Sequence, residues 1–117
     1  MLVSLEGPED QPYYLRVAAG VRRAIAEGEA SAGERLPPAK ELAEVLGVNL
    51  HTVLRSYAVL RSEGLVEMGR GRAVRVARDA SAGQARVVEM IEHLAAEASR
   101  WGLAPEDVAA RVAEAMR

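Results

Sequence analysis

The fold of this chain is decided by Leu46-Gly47-Val48-Asn49-Leu50-His51-Thr52-Val53-Leu54-Arg55-Ser56-Tyr57. Gly47 tolerates the positive φ of a tight turn between two helices, and Asn49 belongs to the residue types that cap a following helix. Apolar residues then recur every three or four positions, which indicates the buried face of a helix: Leu50, Val53, Leu54, Tyr57 and Leu60. The other face carries polar side chains: His51, Thr52, Arg55 and Ser56. This order of turn, cap and polar-faced helix predicts a helix-turn-helix.

The residues before this stretch predict two further helices. Residues 1–11 carry no pattern and predict a loose arm. Helical spacing runs through residues 14–25, and the Gly- and Ser-containing residues 29–36 predict a loop. A second helix follows with Pro38 in its first turn, where the missing amide costs nothing, and it ends at Leu46.

A β-hairpin is predicted directly after the helix-turn-helix. Residues 65–68 and 73–76 are β-prone runs, and the turn Gly69-Arg70-Gly71-Arg72 joins them. Arginines at the tip of a hairpin suit a phosphate or minor-groove contact. The hairpin therefore predicts the wing of a winged helix.

Charge is concentrated in the same part of the chain. The whole sequence has a net charge of −2, but residues 48–78 hold six basic and two acidic side chains. Such a patch attracts a polyanion whatever the total charge. We therefore predict a double-stranded DNA partner, with Arg55 able to read guanine through its forked donors. The residues expected to contact DNA are Lys40, Asn49, His51, Thr52, Arg55, Arg70, Gly71 and Arg72.

The last 39 residues predict a helical hairpin that follows a linker over residues 79–83. Two short helices cannot build a core of their own, so we predict that two copies pack into a four-helix dimer module. The alternative is that the hairpin folds back on its own winged helix. The expected dimer interface consists of Val87, Ile91, Leu94, Trp101, Val108 and Val112.

The predicted fold is therefore mainly α with a small β-hairpin. It comprises a winged helix-turn-helix DNA-binding domain over residues 1–78 and a two-helix dimerisation hairpin over residues 79–117.

Several short motifs between residues 12 and 77 occur together in one order. They include Gly33-x-x-Leu36-Pro37-Pro38, Glu41-Leu42-Ala43, Asn49-x-x-Thr52-Val53-x-Arg55-x-Tyr57 and Glu63-Gly64-Leu65. This set resembles the GntR family of bacterial transcription regulators, and the resemblance implies an operator-binding winged helix. Lys40 and Leu50 stand where many members carry arginine. The Asn49 to Tyr57 motif and the C-terminal hairpin are similar to the YtrA subgroup.

We accordingly expect a cytoplasmic transcriptional repressor that binds an inverted-repeat operator as a homodimer. The alternatives are a winged-helix module that docks proteins or binds RNA. Any small-molecule effector is expected at the dimer interface or in the cleft between the hairpin and the winged helix. The chain has no cysteine and two histidines, and it lacks a nucleophile–base pairing. It also lacks a run of about 18 apolar residues. We therefore expect no enzyme activity, no cofactor, no metal and no membrane segment.

Overall fold

The computed structural model of the protein describes residues 3–69, 71 and 73–117. The elements of these residues follow in the order α1 Tyr13–Ala26, α2 Ala39–Leu46, α3 Leu50–Ser62, β1 Val66–Met68, β2 Val74–Val76, α4 Ala82–Arg100 and α5 Pro105–Ala115. The fold is thus mainly α with a small antiparallel hairpin, as the sequence predicts.

The core lies where α1 crosses α3 and is built from aliphatic side chains. Val17 and Val21 of α1 are fully buried, as are Val53 and Leu60 of α3. Leu65 continues the same cluster toward the hairpin. A chain with four aromatic residues among 117 therefore builds its core from close helix–helix contact between Leu, Val and Ala side chains.

The turn between α2 and α3 has the predicted geometry. Gly47 adopts a left-handed conformation with φ of 68° and ψ of 33°, a region that residues with a Cβ rarely enter. The Oδ1 atom of Asn49 accepts a hydrogen bond of 2.8 Å from the His51 amide. The prediction that Asn49 caps α3 is confirmed, and the cap sets where this helix begins.

The hairpin pairs Val66 with Val76 and Met68 with Val74. The prediction of a plain loop over residues 29–36 is wrong at its end, because Arg35 forms a β-bridge with Arg75. The Leu36 amide donates to the Val74 carbonyl at 2.8 Å. This pairing satisfies the backbone groups on the open edge of β2, which would otherwise lie unpaired beside the core.

The N-terminal residues pack against α1, so the prediction of a loose arm is wrong for the described part. Val3 is buried, and the Glu6 amide donates to the Arg16 carbonyl at 3.2 Å. A Cβ atom at Gly20 would collide with the Ser4 carbonyl oxygen. The missing side chain at Gly20 therefore lets this segment lie directly on the helix.

Two helix starts differ from the sequence predictions. Pro38 precedes α2 as its N-cap, with φ of −55° and ψ of 144°, and the first turn begins at Ala39. The predicted linker over residues 79–83 is too long, because the Ser81 hydroxyl accepts from the Gln84 amide and α4 begins at Ala82. Helix α2 therefore begins one residue later than predicted, and α4 begins earlier because Ser81 caps it.

The first half of α4 packs on α1. Ala85 is fully buried and Val88 lies against the core. An Arg86 guanidinium nitrogen donates to the Ala26 carbonyl at 3.0 Å, near the end of α1. The start of the helical hairpin, which consists of α4 and α5, is therefore anchored to the winged helix of the same chain.

Candidate nucleic-acid interface

The exposed face of α3 differs from the predicted one at three positions. Leu50 and Leu54 were expected in the core, yet 41% and 47% of their surfaces are exposed. Ser56 was expected on the polar face, yet it is fully buried. The Ser56 hydroxyl oxygen lies 2.7 Å from the carbonyl oxygen of Tyr14 and 2.7 Å from that of Thr52. The hydroxyl donates its hydrogen bond to one of these two acceptors. A small residue lets α1 and α3 approach closely, and the leucines are turned outward as a result.

Arg55 projects from the exposed side of α3 toward α1. The guanidinium carbon lies 3.8 Å from the centre of the Tyr14 ring, within the range of a cation–π contact. The ring restricts the conformations of a long side chain that would otherwise be free. The charge of Arg55 therefore stays at the surface, and its side chain points in a defined direction.

The other described candidates lie in the first turns of α3 and α2. His51 is exposed and Thr52 is half-buried, and both follow the Asn49 cap. Lys40 is exposed in the first turn of α2. The N-terminus of α3 carries a partial positive charge from its backbone amides, which adds to the positive charge of Arg55 on the same helix. The arrangement can bind an anionic backbone and present hydrogen-bonding groups to a groove.

The hairpin tip is described in part. Gly71 is exposed and has φ of 72°, as a tight turn requires. Arg70 and Arg72, which were predicted to contact DNA, lie outside the described residues. Arg75 of β2 donates to the Gly33 carbonyl at 3.2 Å and thereby holds the segment before α2.

The end of α3 is fixed by an ion pair that the sequence patterns did not predict. The Arg22 side chain of α1 is 5% exposed, and its Nη2 atom lies 2.7 Å from an oxygen of Glu63, the C-cap of α3. The Arg22 Nε atom donates to the other oxygen of the same carboxylate at 3.1 Å. Glu92 of α4 lies 3.7 Å from Arg22. The signal available in the sequence was an arginine at a core-facing position of α1 together with an acidic residue at the end of α3.

The second half of α4 and α5 carry an apolar surface that is uncovered in the single chain. A cavity of about 520 Å³ lies between the two helices. Four of the predicted interface residues line it: Ile91, Leu94, Val108 and Val112. Val87 and Trp101 do not line it, and the indole nitrogen of Trp101 donates to Glu97 at 2.9 Å.

The family model described as "Bacterial regulatory proteins, gntR family" matches residues 13–76 of this chain. That match spans the helix-turn-helix and the hairpin, and it covers more than half of the chain. The chain belongs to the GntR family. Its fold is the winged helix of that family followed by a helical hairpin.

Relatives of this GntR-family chain include two YtrA proteins. The transcriptional repressor YtrA of Bacillus subtilis is 27% identical over 79 residues, which cover 68% of this chain and 61% of that protein. The structure of YtrA from Sulfolobus acidocaldarius matches this chain with a TM-score of 0.61 and 30% identity. The match covers 81% of this chain and 99% of the Sulfolobus chain. The similarity to the YtrA subgroup is thus present in sequence and in structure.

A third relative has been solved with DNA. The DNA-binding domain of AraR in complex with its operator ORX1 has a TM-score of 0.57 and 28% identity, over 66% of this chain and 96% of that domain. The curated sequence relatives are longer than the matched region, which spans 61%, 26% and 15% of three of them. In the described ranges of this chain, no helix has the length and apolar character needed to cross a membrane.

Proposed function

We propose that this chain binds operator DNA through α3 and the hairpin, and that it acts as a homodimeric repressor on an inverted-repeat sequence. The observation that carries the proposal is the ordered Arg55 side chain beside the capped N-terminus of α3. In a helix-turn-helix the N-terminal residues of the second helix contact base edges in the major groove. Family membership and the operator complex of the AraR domain support a DNA partner.

Within this proposal the candidate residues divide into two groups. Arg55, His51 and Thr52 read base edges, because their donors and acceptors lie on the first turns of α3. Lys40, Asn49 and the hairpin tip, which consists of Arg70, Gly71 and Arg72, contact phosphates and set the register. Arg22 keeps the far end of α3 in place through Glu63 and has no contact with DNA in this proposal.

Dimerisation is supported by the uncovered apolar surface between α4 and α5. Monomeric proteins rarely leave a contiguous apolar surface of this kind exposed. A second copy of the same surface would cover it across a two-fold axis and bring two α3 helices to one duplex. The division into residues 1–78 and residues 79–117 belongs to the same proposal, with the first turns of α4 anchored on α1.

The regulatory state that we propose is a repressor able to bind DNA without a ligand. The Bacillus subtilis relative is named a transcriptional repressor, which supports the sign of the effect. A cavity of about 230 Å³ between α1 and α4 has a mixed lining that includes Arg22, Glu89 and His93. It lies below the usual range of about 300–1,000 Å³ for ligand pockets, so any effector bound there would be small.

The test is binding of the full chain, freed of small molecules, to a random duplex library, followed by titration against the selected sequence. We expect a dissociation constant of about 10⁻⁸ M or tighter, within the usual range of specific complexes. The affinity should fall steeply as salt rises. Arg70→Ala and Arg72→Ala should flatten that salt dependence, whereas Arg55→Ala should relax one operator position. The proposal would be contradicted if the selection enriched no sequence. It would also be contradicted if the chain bound RNA of matched sequence more tightly than the DNA duplex.

A further inference from the structure

Two exposed leucines lie on the surface that the proposed function brings to DNA. Leu50 and Leu54 are 41% and 47% exposed. They are four residues apart and therefore lie on one side of α3, one turn above the other. Leu50 is the first residue of the helix, directly after the Asn49 cap.

The leucines and the polar candidates occupy different edges of the same exposed face. Successive helical positions are rotated by about 100°, so His51 and Arg55 are each displaced by that angle from the leucine that precedes them. Arg55 lies on the edge beside Tyr14 of α1. Leu54 lies on the opposite edge, where it lines a groove with Met68 and Val74 of the hairpin. The exposed face of α3 is therefore half polar and half apolar.

An apolar side chain in the major groove has one matching group. Among the four bases, only thymine presents an apolar substituent there, the C5-methyl group, whereas the other edges present donors and acceptors. A leucine placed against those polar edges would remove water from them and offer no hydrogen bond in return. A leucine placed against a methyl group buries apolar surface on both sides.

We infer that Leu50 and Leu54 contact the C5-methyl groups of thymines in the operator, and that they determine its sequence on the side facing the hairpin. This inference rests on the proposed function and adds a specificity to it. Arg55 reads guanine at the other edge of α3, so each half-site combines a guanine with thymines on the hairpin side. Leu50, as the first residue of α3, makes the deeper contact.

The experiment replaces thymine by deoxyuridine, which lacks only the C5-methyl group, one position at a time in the duplex selected by the full chain. Wild-type protein should lose about fourfold in affinity at two positions, one for each leucine. That factor is the ~0.8 kcal/mol of one buried methyl group converted at ~1.4 kcal/mol per factor of ten. This measurement requires no variant protein.

Leu50→Ala and Leu54→Ala should each remove the uracil penalty at one position and leave the other unchanged. Both side chains are exposed, so the variants should keep the fold, which circular dichroism can check. Val45→Ala trims an exposed aliphatic side chain of α2 and serves as the matched control, which should keep the full penalty.

Two outcomes would overturn the inference and leave the proposed function intact. In one, wild-type protein binds the selected duplex but tolerates uracil at every position, or that duplex holds no required thymine. In the other, both leucine variants keep the wild-type penalty. Failure of the chain to bind any duplex would instead overturn the proposed function, and the inference with it.

Discussion

The guanidinium group of Arg55 stacks on the ring of Tyr14, with 3.8 Å between the guanidinium carbon and the ring centre. The contact joins α3 to α1 at the surface proposed to bind DNA, so a residue outside α3 helps to define the direction of a residue on it. The neighbouring Tyr13 is exposed, and its ring lies 6.0 Å from Arg16. The two adjacent tyrosines therefore differ in the arginine that they contact, which allows a matched comparison.

Removing the Tyr14 ring should weaken DNA binding without unfolding the protein. Arg55→Ala should cost ~1–3 kcal/mol of binding free energy, because a bidentate base contact is lost. Tyr14→Leu should cost less, ~0.5–1 kcal/mol, because the arginine remains but loses its cation–π contact. Tyr13→Leu is the control and should bind as wild type does. Fluorescence anisotropy on the selected duplex measures all three. Equal affinities for Tyr14→Leu and Tyr13→Leu would contradict the positioning role.

The buried pair Arg22–Glu63 should dominate the ionic contribution to stability. Arg22→Met leaves the Glu63 carboxylate without its buried partner and should lower the free energy of unfolding by ~3–5 kcal/mol. Arg23→Met is the control, because Arg23 pairs with Glu27 at the surface and such pairs contribute little. Urea denaturation measures both. The double variant Arg22→Met with Glu63→Gln should recover part of the loss, and the pair interpretation fails if it does not.

Gly20 should be intolerant of any side chain. Gly20→Ala places a methyl group against the Ser4 carbonyl oxygen, so the N-terminal segment must move, at a cost of ~1–3 kcal/mol. Gly83 is also helical, but a Cβ there meets only ordinary contacts with Arg86 and Ser81. Gly83→Ala should therefore stabilise the protein, by ~0.5 kcal/mol. Thermal unfolding of the two variants should shift in opposite directions, and a shift in the same direction would contradict the close approach of the segment to α1.

Tyr57 should make the protein less stable at high pH. Burial raises the pKa of the Tyr57 phenol above its ordinary value, and the hydroxyl donates to the Pro37 carbonyl at 2.7 Å. The unfolded chain ionises this group above about pH 10 while the folded chain resists. Its stabilising contribution is therefore present below pH 10 and is lost as the pH rises beyond it.

The measurement is the free energy of unfolding between pH 8 and pH 11 for wild type and Tyr57→Phe. The variant should be less stable near neutral pH, by ~1 kcal/mol for the lost hydrogen bond. Its stability should then fall less steeply with pH. Tyr13→Phe is the control and should follow the wild-type curve. A slope for Tyr57→Phe that equals the wild-type slope would contradict the assignment.

Charge placed in the apolar surface between α4 and α5 should prevent dimerisation. Val108 lines the cavity of this surface, whereas Ala110 on the same helix does not. Val108→Glu should be monomeric in sedimentation velocity, because a carboxylate would have to be buried without a partner. Ala110→Glu carries the same charge and should sediment as wild type. A wild-type monomer, or a Val108→Glu dimer, would rule out this interface.

The order of the elements could be predicted because the signals for it are local. The positive φ of Gly47 and the Asn49 cap depend on residues within a few positions, and the pattern of 3.6 residues per turn reveals a helix before any partner is known. The family motifs lie in the same local stretches. The winged helix and the helical hairpin after it could therefore be predicted from the sequence.

Tertiary contact decided which residues of α3 are buried. The buried side chains of α3 are Val53, Ser56, Tyr57 and Leu60, at the spacing of one helical stripe. Choosing the stripe by hydrophobicity alone includes Leu50 and Leu54 and omits Ser56. A serine fits there because its small side chain permits close approach and its hydroxyl bonds to a carbonyl of the facing helix. The bridge from Arg35 to Arg75 and the packing of Val3 depend in the same way on segments far apart in the chain. Local periodicity thus determines that α3 is a helix, and the fit between two helices decides which of its residues are left to face a partner.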